Sequence, residues 1–600
     1  MLSFGFPPPT NRPHSVVLLG IRHWFKNALP IPRLQVAPKR FLALLSPGQE
    51  TASERRIVPP HIQDFGSIQE LVNECYQCHK SCRTYATGQV VPGLRVIDCS
   101  SSSVTPVVVL APESCRYVAL SYVWGKVCHD DQKPAPIVVQ DAMSVTRALG
   151  LRFLWVDKYC IPQDGVEKHR FIRAMDRIYS NAYLTVIAAA GESSHDGLPG
   201  VSQVSRKRQV EVRVAQCTLL ELPYGFDATK ASTWATRAWT YQEGYLSTRC
   251  LVFTDVGLVY LCSEVHLEES VQQLAPEQTS AFITERNRRE YSWMFKKEDV
   301  FPISTSLELA ITEYTKRELT FQEDSLKAFS GILNYYYQGL HSGGRVDNIW
   351  GVPAPDGIPH LDWLHRQKAI RRPNFPSWSW AGWAGAVEFH DFWADQQTWY
   401  SDPLLEPFSA AIPSEPVGHQ AHDTASTSSS ASSAACSRRL FVTGPVMPLR
   451  FATPVQTEHI ITSVGDHVDY LAVTAHPGEH FCMIELYPGI FTAALSMLNS
   501  EPEDDTMLGL LVTERVISPA DEWQEGKPYP TSFRIKKIII LKQVSDHYER
   551  IGYAFWDYIC PNVYLDGEDV FFDRDRLPTG GRDTQLLLLN NVKRIRICLE

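Results

Sequence analysis

The chain has 600 residues, of which 44% are hydrophobic and 21% charged, and a formal charge of −10. That length exceeds what one core supports and points to two or three compact units, while the ordinary composition excludes global disorder. The modest acidic balance and the lack of any long Lys/Arg run exclude nucleic acid and anionic membrane as expected partners.

Residues 1–67 are rich in proline and follow no steady period, so an extended arm or a partly ordered lead-in is expected there. The apolar run from Ser15 to Ile21 is too short to span a bilayer and lacks the basic start and cleavage site of a signal peptide. No membrane span and a cytoplasmic location are therefore expected. Fourteen cysteines scattered along the chain fit reduced thiols better than a disulfide scaffold. In CYQCHKSC, Cys75, His79 and Cys82 fall at i, i+4 and i+7 and share one helix face. Soft side chains packed beneath a helix are the commoner meaning of such a trio. Zinc would need a fourth ligand, from Cys99 or a distant residue, because Cys78 points elsewhere on the helix.

From Leu94, the runs LRVIDC, VTPVVVLAP and YVALSYVWG read as short strands, SVTRALGL as a helix, and the first half of FLWVDKYCIPQD as a buried strand ending at Asp157. DGVEKHRFIRAMDRIYSNA carries Phe171, Ile172, Met175, Ile178 and Tyr179 at helical spacing, opened by Asp164 and Glu167 as a capping box. AYLTVIAAAG, ending in Gly191, reads as a central strand covered on both faces. This alternation predicts an α/β domain with a parallel sheet, whose site lies beyond the carboxyl ends of the strands. Asp157 and the loop from Gly191 to Gly200 belong there. No GxGxxG joins a strand to a helix and no GxxxxGK[ST] occurs, so a dinucleotide fold of the Rossmann type and a P-loop are excluded.

In TRAWTYQEGYLSTR, Thr240 and Glu243 have the spacing of a capping box at a helix mouth, a structural role that alone accounts for the carboxylate. Further on, ELAITEYTKRELTFQEDSLKAFSGILNYYY has helical periodicity, and PSWSWAGWAG packs three tryptophans into what reads as a packing lid. His419 to Arg439 is serine-rich and too small and polar to order itself, and the strands beyond it predict a β-rich unit. The expected division is a 1–67 arm, a 68–270 domain with core blocks at 117–253, a 271–400 helical and Trp-rich accompaniment, a disordered 415–439 linker, and a 440–600 β-rich unit.

Three blocks, YVALSYVWG, LWVDKYCIPQD and TRAWTYQEGYLSTRCLVF, together resemble the fungal heterokaryon-incompatibility (HET) domain in content, order and spacing. Cys75, His79 and Cys82 resemble a cysteine-histidine element common upstream of it, and LTFQEDSLKAFSGI, PSWSWAG and YERIGYAF resemble its usual C-terminal accompaniment. Val123, Pro162 and Ala238 depart from the pattern without removing a polar group. The resemblance implies a role in fungal nonself recognition and cell death. It also implies a relation to Toll/interleukin receptor (TIR) domains, which have a flavodoxin-like α/β fold and some of which hydrolyse NAD. Trp239 and Glu243 keep the tryptophan-to-glutamate separation of the helix that carries the TIR catalytic residue.

On that basis Glu243 is the expected catalytic carboxylate, with Ser121, Tyr122, Trp124, Asp157 and Trp239 as substrate-binding residues, NAD as substrate and no cofactor required. The chemistry is economical: nicotinamide leaves from a cationic pyridinium with little acid help, and one carboxylate suffices where oxocarbenium character develops. Glu167 is the rival carboxylate but has its own capping role, and neither Cys160 nor His169 has a nucleophile's context. The alternative is a non-enzymatic signalling module that binds a second copy of itself or an incompatibility partner, with Glu243 serving stability alone.

Overall fold

In the computed structural model, the structure describes residues 58–84, 91–125, 134–270, 303–339, 344–389 and 438–451, apart from short breaks, together with segments at 41–45, 51–52, 55–56, 402–405, 481–487, 490–496, 507–517, 533–557 and 593–600. The chain divides into two units between Lys296 and Lys297.

The amino-terminal unit is mixed α/β. Its main sheet contains β1 (Arg95–Asp98), β2 (Val108–Leu110), β3 (Tyr117–Ser121), β4 (Phe153–Trp155), β5 (Leu184–Ala188), β6 (Arg249–Thr254), β7 (Gly257–Cys262) and β8 (His266–Glu268), in the order β8-β7-β6-β5-β3-β4-β1-β2. The central strands β4, β3, β5 and β6 are parallel, and all of β3, β5 and β6 is buried, as their mainly apolar runs require. Both flanks are antiparallel, which departs from an all-parallel sheet. On the β6 side the reason is local: Asp255 and Val256 alone link β6 to β7, and so short a link permits only a hairpin.

Helices α1 (Phe65–Cys78) and α2 (Lys80–Thr84) precede the sheet, and α3 (Ile137–Ala148) joins β3 to β4. Between β4 and β5 run α4 (Asp157–Cys160), α5 (Gly165–Arg173) and α6 (Met175–Asn181), and α7 (Gly225–Lys230), α8 (Thr233–Thr236) and α9 (Ala238–Leu246) lead into β6. The expected single helix after Asp164 thus breaks at Ala174, whose ψ of 5° leaves the helical range. Asp164 caps α5 by accepting from the Glu167 amide at 2.8 Å, but the Glu167 carboxylate turns to Arg170 instead of completing the box. The connection after β3 leads to β4 on one side, and β5 connects to β6 on the other, so the chain diverges between the carboxyl ends of β3 and β5. A doubly wound sheet opens its crevice at that point.

The loops on either side of this divergence interlock. Gly125 has a φ of 76°, and a Cβ there would lie 2.6 Å from Ser193 Cβ. Gly125→Ala is therefore expected to destabilise the unit by about 1–3 kcal/mol through strain and overlap together. Urea unfolding checks it; a midpoint equal to wild type would show that the loops are free to part.

Part of the expected arm is structured: Phe41–Leu45 pairs antiparallel with Thr218–Leu222, and α1 begins at Phe65. Residues 1–40 lie outside the described residues.

In the carboxy-terminal unit, the helical periodicity after residue 308 resolves into α10 (Ile303–Thr315) and α11 (Ser330–Tyr337), separated by short 3₁₀ turns. Trp378, Trp380 and Trp383 are buried, and each indole N–H donates to a backbone carbonyl, of Arg438, Gly351 and Ser377 respectively. The segment is a packing element, as its aromatic density suggested. The later strands form a sheet in which 507–517, 533–544, 547–557, 490–496, 481–487 and 440–451 pair in turn, and 440–451 pairs back to 507–517 to close a ring. The expected serine-rich linker lies outside the described residues apart from Arg438 and Arg439.

Candidate functional site

The polar group at the end of β3 is centred on Glu243. Helix α9 begins at Ala238 with Arg237 as its N-cap, so Glu243 sits well inside the helix and not at its mouth. The Thr240 hydroxyl faces the preceding turn, donating to the carbonyls of Trp234 and Arg237. The capping box expected from the Thr240–Glu243 spacing is therefore not formed, because the N-cap is Arg237, three residues earlier than that reading requires. Freed from capping, the carboxylate points to β3, where the Ser121 hydroxyl donates to its Oε2.

Ser121 in turn accepts from Trp234 Nε1 at 2.7 Å, and the Tyr179 hydroxyl reaches both Glu243 and the carbonyl of Leu120. Below, Ser247 donates to the Glu243 carbonyl at 2.6 Å and meets Thr185 of β5 at 2.7 Å, pinning the end of α9 to the sheet. Asp157, the first residue of α4, lies beyond the end of β4 and accepts from the Lys158 amide at 2.6 Å and from Trp124 Nε1 at 3.0 Å. That bond fixes the indole of Trp124, which is 42% exposed. The Tyr122 hydroxyl is buried beside Asp157 and makes no well-formed hydrogen bond among the described residues.

Of the expected site residues, Ser121 and Glu243 are bonded, and Tyr122, Trp124 and Asp157 gather beside them. Trp239 does not join this group in any hydrogen bond described here; it is half-buried and packs against the apolar core. Trp234 and Tyr179 were not expected in the site. Both look like core aromatics in sequence, and only their polar tips, directed at the end of β3, reveal another role.

Electrostatics set the group apart. Glu243 is only 7% exposed, and burial pushes its carboxyl up to about 7, with the charge of Asp157 adding to the shift and the bonds from Ser121 and Tyr179 opposing it. Burial likewise raises Asp157 to about 6, against the Lys158 amide and the Trp124 indole. Glu243 thus holds its proton more tightly in the folded protein than in the unfolded chain, where its pKa is the ordinary 4.5. Its contribution to stability is complete below about pH 4.5 and is lost as pH rises through about 7. The melting temperature of wild type relative to a Glu243→Gln variant is expected to fall between these limits. A gap that does not change with pH would show that the carboxyl titrates normally.

A second cluster lies elsewhere in the unit. Cys75 near the end of α1, His79 and Cys82 in α2 come together, but not along one helix face as expected, because α1 ends at Cys78 and the extended backbone of His79 turns the chain into α2; Cys262, the last residue of β7, joins them. The four candidate ligand atoms lie within 4.8 Å of one another. Cys99, the nearer-in-sequence candidate for fourth member, is buried apart from the group and bonds the carbonyl of Ile97.

Residues 117–243 match the model of the family described as Heterokaryon incompatibility protein (HET). The chain carries a HET domain. The match opens on the first residue of β3 and closes on Glu243, so it spans both partners of the Ser121–Glu243 bond. No curated protein and no solved structure matches the chain. Among the described residues, no helix is long and apolar enough to cross a membrane.

Proposed function

We propose that this HET domain is a TIR-like enzyme that hydrolyses NAD at its N-glycosidic bond, and that it acts as a nonself-recognition and cell-death effector by depleting the cofactor. The observation that carries this reading is the buried carboxylate of Glu243, raised to about 7 and held by Ser121 at the divergence of a parallel sheet. A carboxylate kept there against its own desolvation is a poor stabilising device and a good catalytic one.

In the proposed reaction the bond between ribose C1′ and the pyridinium nitrogen breaks, and its electron pair leaves on neutral nicotinamide. Ionised Glu243 stabilises the positive charge developing on the ribose and takes a proton from the attacking water, whose oxygen bonds to C1′. The products are nicotinamide, ADP-ribose and a proton. Trp124 offers an exposed indole face, fixed by Asp157, for stacking a nucleotide ring.

The test is release of nicotinamide from NAD by the purified full chain, followed by chromatography, with Glu243→Gln as the comparison. Cleavage by wild type alone supports the reading. Absence of cleavage by well-folded wild type at high protein concentration overturns it and favours a module that signals by binding a second copy or a partner protein.

A further inference from the structure

We propose that Cys75, His79, Cys82 and Cys262 bind one zinc ion, which fastens the helix preceding the HET domain to the antiparallel edge of its sheet. The donor set is three thiol sulfurs and one imidazole, the composition of a closed structural zinc site. The two His79 separations are close to what zinc needs: Zn–S bonds of about 2.3 Å in a tetrahedron put neighbouring ligand atoms about 3.5–3.8 Å apart. His79 Nδ1 lies 3.5 Å from Cys262 Sγ and 3.9 Å from Cys82 Sγ. Soft sulfur ligands in this geometry favour zinc over calcium, magnesium or manganese.

The surroundings are those a zinc-thiolate centre needs. Cys75, Cys82 and Cys262 are fully buried while His79 is half-buried, which leaves no open position for a substrate. The amide of Val265 donates to Cys262 Sγ at 3.2 Å, a bond that holds a thiolate in place. Arg249 lies directly across β6 and β7 from Cys262, and one of its guanidinium nitrogens reaches the carbonyl of Cys82. Three thiolates around one zinc ion leave a net charge of −1, and this buried cation stands beside it to balance it. On binding, the three thiols release their protons to solvent. All three cysteines are free in the structure.

The proposal is independent of NAD cleavage and is tested without it. Full-length protein, purified with reductant and without added chelator, is measured for zinc by mass spectrometry. About one zinc per chain is expected, falling at least tenfold in Cys262→Ser and unchanged in Cys78→Ser, whose thiol is exposed and outside the cluster. Replacement by cobalt should give the intense visible bands of a tetrahedral thiolate centre, and zinc removal should lower the melting temperature by about 10 °C. Because Cys262→Ser itself is at risk of misfolding, the wild-type stoichiometry and cobalt spectrum decide. Wild-type protein that is folded, fully reduced, metal-free and unaltered by added zinc overturns the proposal. So does a disulfide between any two of the three cysteines in freshly purified, reductant-treated protein.

Discussion

Under the proposed function, Glu243→Gln is expected to lower the rate of NAD cleavage by about 10²–10³-fold while leaving the protein folded and, at pH 8, more resistant to heat than wild type. The loss follows from the role proposed for the carboxylate: the amide is nearly isosteric and still accepts from Ser121, but it carries no charge to meet the oxocarbenium ion and takes no proton from water. The gain in stability has the same origin. At pH 8 wild type must keep an ionised carboxylate in a buried place that prefers it protonated, at a cost on the order of 1–3 kcal/mol. Glutamine removes that cost. The two readouts together separate catalysis from packing: a residue that only held α9 to β3 would lose stability and activity together. A variant that is destabilised at pH 8, or that cleaves NAD within about threefold of wild type, would sink the assignment.

The largest stability effect is expected in the other unit. Lys537→Met should destabilise it by about 3–5 kcal/mol, because Lys537 Nζ pairs with Asp362 Oδ2 at 3.0 Å with both residues buried. Burial pushes the Asp362 carboxyl up, yet the Lys537 ammonium and nearby His360 hold it below the ordinary carboxylate range. Removing the ammonium strands that charge next to Glu308, which raises the penalty further. Replacing both partners, as Lys537→Met with Asp362→Leu, should recover most of the loss, since a buried pair exchanged for apolar groups is often neutral. The urea transition of this unit reads both variants; a single-variant loss under about 1 kcal/mol would show that water reaches the pair.

The elements around the site were legible where burial is complete. The apolar runs of β3 and β5 and the Asp164 cap could be read from residue order because period and capping are local properties. Residue order puts Glu243 in the right helix but pairs it with the wrong structural partner. The Thr240–Glu243 spacing is equally compatible with a helix starting at Ala238, and only the turn after Trp234 decides between the two. Cys262 could not be read at all, since it stands 183 residues from His79 and comes to it only when β7 folds back along β6. Trp234 and Tyr179 were hidden for a different reason: an aromatic with one polar atom looks apolar until its bonding partner is known.

The parallel pairing of β5 with β6 has a practical consequence for dissecting this protein. The matched HET region stops at Glu243, yet Cys250–Phe253 pairs with Thr185–Ala188 beyond that limit. A fragment trimmed to residues 117–243 would expose one whole side of β5, a fully buried apolar strand, and would discard Ser247, which ties α9 to that strand. Such a fragment would be expected to stick to itself through the bared edge, so apparent self-association of the isolated region would report the cut and not the biology.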